Sequence, residues 1–451
     1  MNRTLPLILT AALLLTACAS AVPAQSADAT TSPSAAASSP AQPDAAASSP
    51  SQPAAETSAP PLTPKFPVGH LLTLPQNQNS GPVWNTGDAL YELRDASNMT
   101  PEALVLKTDY AALTQSVYCD IPGCTHDSDA CPAYLASDFC VGVMAVDGTV
   151  YTYPGELTNV APTQIYRIDP AVGKTPVAAV PDALPHHMQL QWCDEYALYG
   201  CPLAASHQPG TLYRWDWQND TVQTIPMLAD EKIIACEGSR FLTIRIEANE
   251  PFPNFGSTEQ EKAILAHAVY VYAWLDPATG AREKICTRPY ADGYFHNYYD
   301  GRIYYTGNFR NADTPGQQAA LLYFDTADGT EKTLLDGIPL DTYVIDVCVP
   351  FSPAFAGVPQ RYLRVLNAGD AYADCLLDME TGDVLPAPAV TAEGVRRPAL
   401  LLACTASGQW LTTANPRDSY DPQYSLYALW DPADFLADGQ PAAWVTMYAT
   451  E

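Results

Sequence analysis

Apolar and polar positions along this chain fall into a phrase that returns seven times: a run of apolar or aromatic residues ending in Asp, then a turn, then another apolar run. It stands at Ile165–Asp169, Leu212–Asp216, Val271–Asp276, Leu322–Asp325, Cys375–Asp378 and Leu426–Asp431, with a weaker copy at Leu104–Asp109. The seven Asp residues are 60, 47, 60, 49, 53 and 53 positions apart. Upstream of each lies a second strand-like run, such as Thr149–Tyr151, Phe241–Ile244 or Arg302–Tyr305. Continuous or period-two apolar runs of this length, bounded by turn residues, predict short strands.

After four of these Asp residues a Gly follows four positions on, at Gly173, Gly280, Gly329 and Gly382. Asp hydrogen-bonds its own backbone two residues on, and Gly takes the left-handed conformation that closes a short hairpin. Seven units, each with room for four short strands, predict an all-β protein, a seven-bladed β-propeller over residues 65–451. Two tandem β-sandwiches would share the strands and turns but not one repeated phrase. No long amphipathic stretch appears, so helices should be few. In phrase and length the repeats resemble secreted propellers of the quinoprotein-like and TolB-like kinds over most of residues 80–451. No tryptophan docking motif and no sialidase Asp-box recurs, so no catalytic residue carries over from that resemblance.

Charge narrows the function classes. The 451 residues hold 22 Lys and Arg against 50 Asp and Glu, a net charge of −28. Phosphate contacts need clustered Lys and Arg, so nucleic acid is excluded as a partner. Met1–Arg3 is a short positive start, Leu5–Leu15 an apolar run too short to span a bilayer, and small residues follow. That is a secretory signal. Leu15-Thr16-Ala17-Cys18 matches the bacterial lipobox, which implies a signal peptide at 1–17 and acylation of Cys18. Two or three acyl chains give stable anchoring, so the expected address is the cell membrane, lipid-anchored and facing outside the cytoplasm. Residues 18–64 turn to Ala, Ser, Pro, Thr and Gln, a composition that cannot bury enough surface to fold and reads as a disordered tether.

One compact set of chemistry-bearing residues stands on the connection after the first phrase: Cys119, Cys124, His126 and Cys131, with Asp127 and Asp129 beside them. Three thiolates and an imidazole are a tetrahedral zinc set, and short spacing limits the loop entropy of assembling it. Pro122-Gly123 supplies a tight turn. Disulfides are the competing reading in an exported protein. With Cys18 acylated, 11 of the 12 Cys remain, an odd number, and Cys140 is a further possible partner. The cluster resembles one found near the start of a propeller in uncharacterised lipoproteins of gut Firmicutes. That resemblance implies an anaerobic setting, which favours reduced thiols, and names no activity. Cys193, Cys236, Cys348 and Cys404 lie in apolar first-strand runs and read as core, as do Cys286 and Cys375.

In an up-down-up-down blade, the loops between strands two and three emerge on the same face as the connections to the next blade. Functional loops are expected there. The candidates are Ala248–Leu265, holding the ligand-binding candidates Phe252 and Phe255, together with Asn308–Gln318, Asn415–Gln423 and Pro185–Gln189 beside His186 and His187. No nucleophile elbow, His-Glu-x-x-His, Walker loop or dinucleotide fingerprint is present. The sequence therefore predicts a surface binding module for a glycan, a peptide or a partner protein. The alternatives are a surface glycoside hydrolase or lyase with its carboxylates in the central funnel, and a scaffold for envelope assembly.

Overall fold

A computed structural model of the chain describes residues 64–74, 83–95, 102–136, 141–157, 163–202, 208–250, 258–290, 293–307, 318–339, 343–350, 361–367, 375–386, 389–392, 395–414, 426–437 and 439–448. Seven antiparallel sheets of at least four strands follow one another along it. The first runs from Val83–Asn85 to Thr114–Val117 and the second from Val141–Val146 to Gly173–Ala179. The third spans Met188–Cys193 to Thr221–Ala229, and the fourth Lys232–Glu237 to Arg282–Pro289. The fifth spans Gly293–Tyr299 to Thr330–Pro339, the sixth Tyr343–Pro350 to Val384–Pro386 and the seventh Leu400–Cys404 to Ala443–Trp444.

Blade strands bury consecutive residues, so both faces of a sheet need a neighbour, and each finds one. Leu106 of sheet one packs with Val143 of sheet two, Met144 of sheet two with Leu190 of sheet three, and Tyr199 of sheet three with Phe241 of sheet four. The series continues through Trp274 with Tyr298, Tyr304 with Met379, and Tyr362 with Trp410. Leu411 of sheet seven then shares a core with Val83 and Leu90 of sheet one. The sheets thus close into a ring, a β-propeller, with dry seams between neighbours. The first strands of sheets one and two approach each other, as do those of sheets five and six, which places the first strands toward the axis.

The repeat predicts seven equal blades, and the structure departs from that. Where first strands bulge in sheets three, four, five and seven, one extra residue is inserted. In sheet six the pairing of the first two strands jumps from Ile345↔Val365 to Pro350↔Leu363. Several residues leave the ladder there, and Pro350 brings no N–H to it. The propeller has six regular blades and one interrupted sheet. A separate two-stranded hairpin, Ala389–Ala392 with Val395–Pro398, follows that sheet.

The Asp phrase is the third strand in all seven sheets. Its turn chemistry is as expected: carboxylates of Asp109, Asp169, Asp276, Asp325 and Asp378 each accept the N–H two residues on, at 2.8–3.1 Å. Gly280, Gly329 and Gly382 hold φ values of 74°, 70° and 79°. Asp216 instead accepts the Asn219 N–H, three residues on, at 3.1 Å, and Asp431 starts a helix. Pro432 follows it at a first helical position, and helix α2 (Pro432–Leu436) replaces the hairpin, burying Phe435 against Trp410 and Trp430. Helix α1 (Thr258–Leu265) is the other helix among the described residues.

Candidate metal centre

The four sequence-predicted ligands do come together. One donor atom each from Cys119, Cys124, His126 and Cys131 lies within 4.8 Å of the others, and His126 Nδ1 is 3.3 Å from Cys131 Sγ. Tetrahedral zinc with Zn–S near 2.3 Å has ligand atoms roughly 3.8 Å apart, so the constellation is close to a coordination shell before any ion enters. Cys119, Cys124 and Cys131 are free thiols.

The local chain explains the convergence. The outer-strand position of sheet one is filled in two pieces. Thr114–Val117 pairs with Leu106–Asp109, and Tyr134–Leu135 pairs with Ala103 and Leu104 of the same third strand. Both limbs meet at Val105, whose carbonyl accepts the Tyr118 N–H and whose N–H donates to Ala133 O, each at 2.9 Å. Residues 118–133 are an excursion between the two pieces, and its turns are set by left-handed residues, Gly123 at φ 75° and His126 at φ 59°.

Each sulfur also receives a backbone N–H from the residue two places on: Ile121 for Cys119, His126 for Cys124 and Ala133 for Cys131. Each of these N–H groups favours thiolate over thiol at its sulfur. Desolvation opposes it at the inner ligands. Burial raises Cys119 and pushes Cys131 up to about 12, whereas Cys124 is lowered chiefly by the His126 N–H. A metal cation supplies the charge that a buried thiolate lacks, and thiolate-rich sets favour soft ions such as zinc. The cluster can therefore bind a metal such as zinc.

Cys131 is 1% exposed and belongs to the core shared by sheets one and two, with Cys119 and Cys124 packed against it. The loop also grips sheet two directly. Asp120 N–H donates to Pro170 O at 2.8 Å, while Lys174 Nζ reaches Asp129 at 2.9 Å and also donates to Tyr134 O. The site is on the outer rim, at the seam of two sheets, away from the axis.

The other predicted positions divide. Phe252, Phe255 and Cys18 lie outside the described residues, as do Cys140 and nearly all of Asn308–Gln318 and Asn415–Gln423. Of Ala248–Leu265, α1 is described. Pro185–Gln189 leads into the first strand of sheet three, with His186 and His187 exposed. Cys193 is buried, and Cys236 and Cys404 are partly buried in first strands, consistent with core positions.

Sequence reasoning missed an occupant of the funnel. Leu72–Thr73 pairs with Cys193 and Trp192 on the axial side of sheet three's first strand, and Glu156–Leu157 pairs with Gln189 and Met188 of that strand. The strand pair Leu72–Thr73 belongs to a strap that starts at Lys65, whose N–H donates to Ala278 O. Arg214, buried, donates to Pro67 O and stacks on Phe66 at 4.7 Å. Asp194 and Glu195 accept the N–H groups of Gly69 and His70. The available signal was slight: apolar residues Val68, Leu71 and Leu74 just after the Ala-, Ser- and Pro-rich stretch, spaced by three and so without strand alternation.

No protein-family profile matches the sequence, and no curated protein sequence matches it. Among solved structures, the β-propeller domain of the Trilobed protease from Pyrococcus furiosus is similar, with a TM-score of 0.42 and 8% identity over 81% of this chain and 95% of that one. An oligogalacturonate lyase in complex with manganese gives 0.37 and 11% over 82% and 85%. A Synechocystis apocarotenoid oxygenase gives 0.35 and 13% over 86% and 91%. At such identities and TM-scores these similarities carry no argument about activity.

Proposed function

We propose that this chain is an exported, lipid-anchored β-propeller that acts as a binding module at the cell surface, its first sheet stapled by a structural zinc ion. The observation that carries the zinc reading is the pre-built set of Cys119, Cys124, His126 and Cys131, with a backbone N–H directed at each sulfur. Four protein donors leave no coordination position for substrate, which is the pattern of a structural site. The address rests on the lipobox at Cys18 and the tether that follows.

The binding reading rests on architecture. Most first strands are apolar or amide-bearing where they line the axis, as in Leu400–Cys404 and Met188–Cys193, and an acid-poor axis suits binding better than a two-carboxylate reaction. Blade topology predicts that the connections between second and third strands, which lie largely outside the described residues, share one face, where a glycan, a peptide or a partner protein would meet them.

The test begins with the chain expressed in a bacterial host, where wild type should be acylated and sediment with membranes and Cys18→Ala should not. Metal analysis and thiol alkylation of the purified protein should give one zinc per chain and three protected thiols. A protein without metal whose Cys119, Cys124 or Cys131 are oxidised in pairs would replace the zinc staple with disulfides. Probing with a panel of immobilised glycans and peptides should give retention without cleavage. Cleavage products in that panel would establish the hydrolase or lyase instead.

A further inference from the structure

We infer that the metal centre is the lock on ring closure: metal bound at Cys119, Cys124, His126 and Cys131 holds the edge strand that receives the C-terminal segment of the chain. This rests on the metal reading above and extends it to what the ion controls.

A propeller made from one chain must join its last sheet to its first. Here no described sheet contains strands from both ends. Sheet one is built from residues 83–135 and sheet seven from residues 400–444. Closure therefore depends on contacts across a seam, and these fall into two groups.

The inner group lies near the axis. Asn85 Nδ2 donates to Cys404 O at 2.7 Å, Ala406 N–H donates to Gly87 O at 2.8 Å, and the Val83 and Leu90 side chains join the sheet-seven core. The outer group is a clasp. Val445 still donates its N–H to Tyr427 O of sheet seven at 2.9 Å, and from Thr446 the chain lies along the free side of Thr114–Val117, with a parallel bridge between Thr114 and Thr446. Gln115 N–H donates to Thr446 O and Thr446 N–H donates to Leu113 O, both at 2.8 Å. Tyr448 N–H reaches Gln115 Oε1 at 3.3 Å, and Arg94 donates to Tyr448 O at 3.2 Å. Behind the clasp, the buried Glu92 carboxylate accepts from Arg94, Gln115 and Tyr427, the last belonging to sheet seven.

The clasp's main-chain partners are Gln115, on a four-residue edge strand, and Leu113, which leads into that strand. That strand has only four ladder pairs to the rest of sheet one, from Leu106↔Val117 to Asp109↔Thr114. Its other end runs within two residues into Cys119, and Tyr448 packs against the core that holds Tyr118, Cys119 and Cys124. With a metal bound, the end of the edge strand is fixed to Cys131 in the core between sheets one and two. Without it, the excursion 118–133 keeps its turns, a few hydrogen bonds and the burial of Cys131, but the end of the edge strand is no longer tied to Cys131, and a short edge strand with a loose end frays. The ion and the C-terminal clasp are thus coupled through Thr114–Val117, and such coupling is reciprocal.

Hydrogen exchange on the full-length protein tests this, comparing zinc-loaded protein with protein stripped by a chelator and with stripped protein reloaded with zinc. Stripping should speed exchange at residues 113–119 and 444–448 by at least tenfold and reloading should restore it. The inner seam at residues 85–90 and the distant third and fourth strands of sheet five should stay unchanged. In the reverse direction, Thr446→Pro removes the N–H given to Leu113 O and should weaken zinc affinity roughly fivefold or more while the stoichiometry stays at one. Bound, removable zinc with unchanged exchange at 444–448 overturns the lock and leaves the structural zinc standing. A protein that binds no zinc overturns both. Global acceleration on stripping, sheet five included, also overturns the lock, because the ion would then support the fold as a whole.

Discussion

Glu231 is the residue on which burial and charge are most finely opposed. It stands in the turn between sheets three and four with its carboxylate 1% exposed. It accepts Arg282 through Nε at 2.8 Å and Nη2 at 2.7 Å, the Leu228 N–H at 2.8 Å and the Thr243 hydroxyl at 3.1 Å. Burial pushes the carboxyl up, and the Arg282 bidentate pair with the two further donors more than offsets it, so the group ends below its ordinary value near 4.5. A depressed folded-state value contributes stability that is present above the unfolded value and is lost as pH falls through the folded one. Denaturant titrations should therefore show wild-type stability declining below about pH 4.5, with part of that decline absent in Glu231→Gln. At neutral pH the same substitution leaves the Arg282 guanidinium half-paired at the seam and should cost about 2–4 kcal/mol. A Glu231→Gln protein as stable as wild type at pH 7 would show that the pair contributes nothing net. The metal ligands offer a second residue-scale test. Cys131→Ser removes the ligand buried deepest and should abolish zinc binding, measured as metal per chain, whereas Asp127→Asn, whose carboxylate accepts the Thr125 hydroxyl at 2.6 Å, should leave it intact.

Among elements, the Asp and Gly hairpins allow the cost of backbone conformation to be separated from the cost of contact. A Cβ placed on Gly329 would meet nothing within 4 Å, while one on Gly382 would come within 2.7 Å of Leu334 O. Both residues are left-handed, so Gly329→Ala should lose about 1–2 kcal/mol from φ alone. Gly382→Ala should lose more, because the carbonyl of the neighbouring sheet must also move. Equal losses in chemical unfolding would mean that the Leu334 backbone yields freely. These hairpins were also the legible part of the sequence. A carboxylate that bonds the N–H two residues on and a Gly at the left-handed position act over five residues, and local rules of that range survive without tertiary information. The Cys119–Cys131 set was legible for the same reason. Its alternatives were not separable, because whether three thiols meet an imidazole or pair with one another depends on where Val105 joins the two limbs of the loop, a contact of the folded sheet. Asp431 shows the converse: it carries the phrase, but Pro432 and the pocket for Phe435 between Trp410 and Trp430 turn it into a helix start.

At the scale of the whole molecule, the repeat implies a hollow ring, and the least legible feature is the segment that enters it. Residues 65–74 directly follow the Ala-, Ser- and Pro-rich stretch and contain one Pro and one Gly, so nothing local marks them as a strand. Their place is decided by an edge that the fold creates, the axial side of Met188–Cys193, where Leu72 and Thr73 find backbone partners. Leu71 and Leu74 are 2% and 1% exposed, each in the core of a different seam, three with four and two with three. The strap thus joins three sheets from inside, and its Leu71 carbonyl accepts the Cys236 thiol at 3.4 Å. Residues 61–451 form one compact unit, and a chain that starts at residue 61 should unfold as the full-length protein does. A chain that starts at residue 76 forfeits two buried Leu side chains and the main-chain bonds of the strap, about 3–5 kcal/mol. It should unfold at lower denaturant, and Cys193 and Cys236, now uncovered on the axial side, should react faster with an alkylating reagent. Faster alkylation at those two positions with unchanged rates at Cys286, which lies on an outer strand, would locate the loss at the axis. Unchanged stability and unchanged thiol reactivity in the shorter chain would mean that the strap only rests on a ring already complete without it.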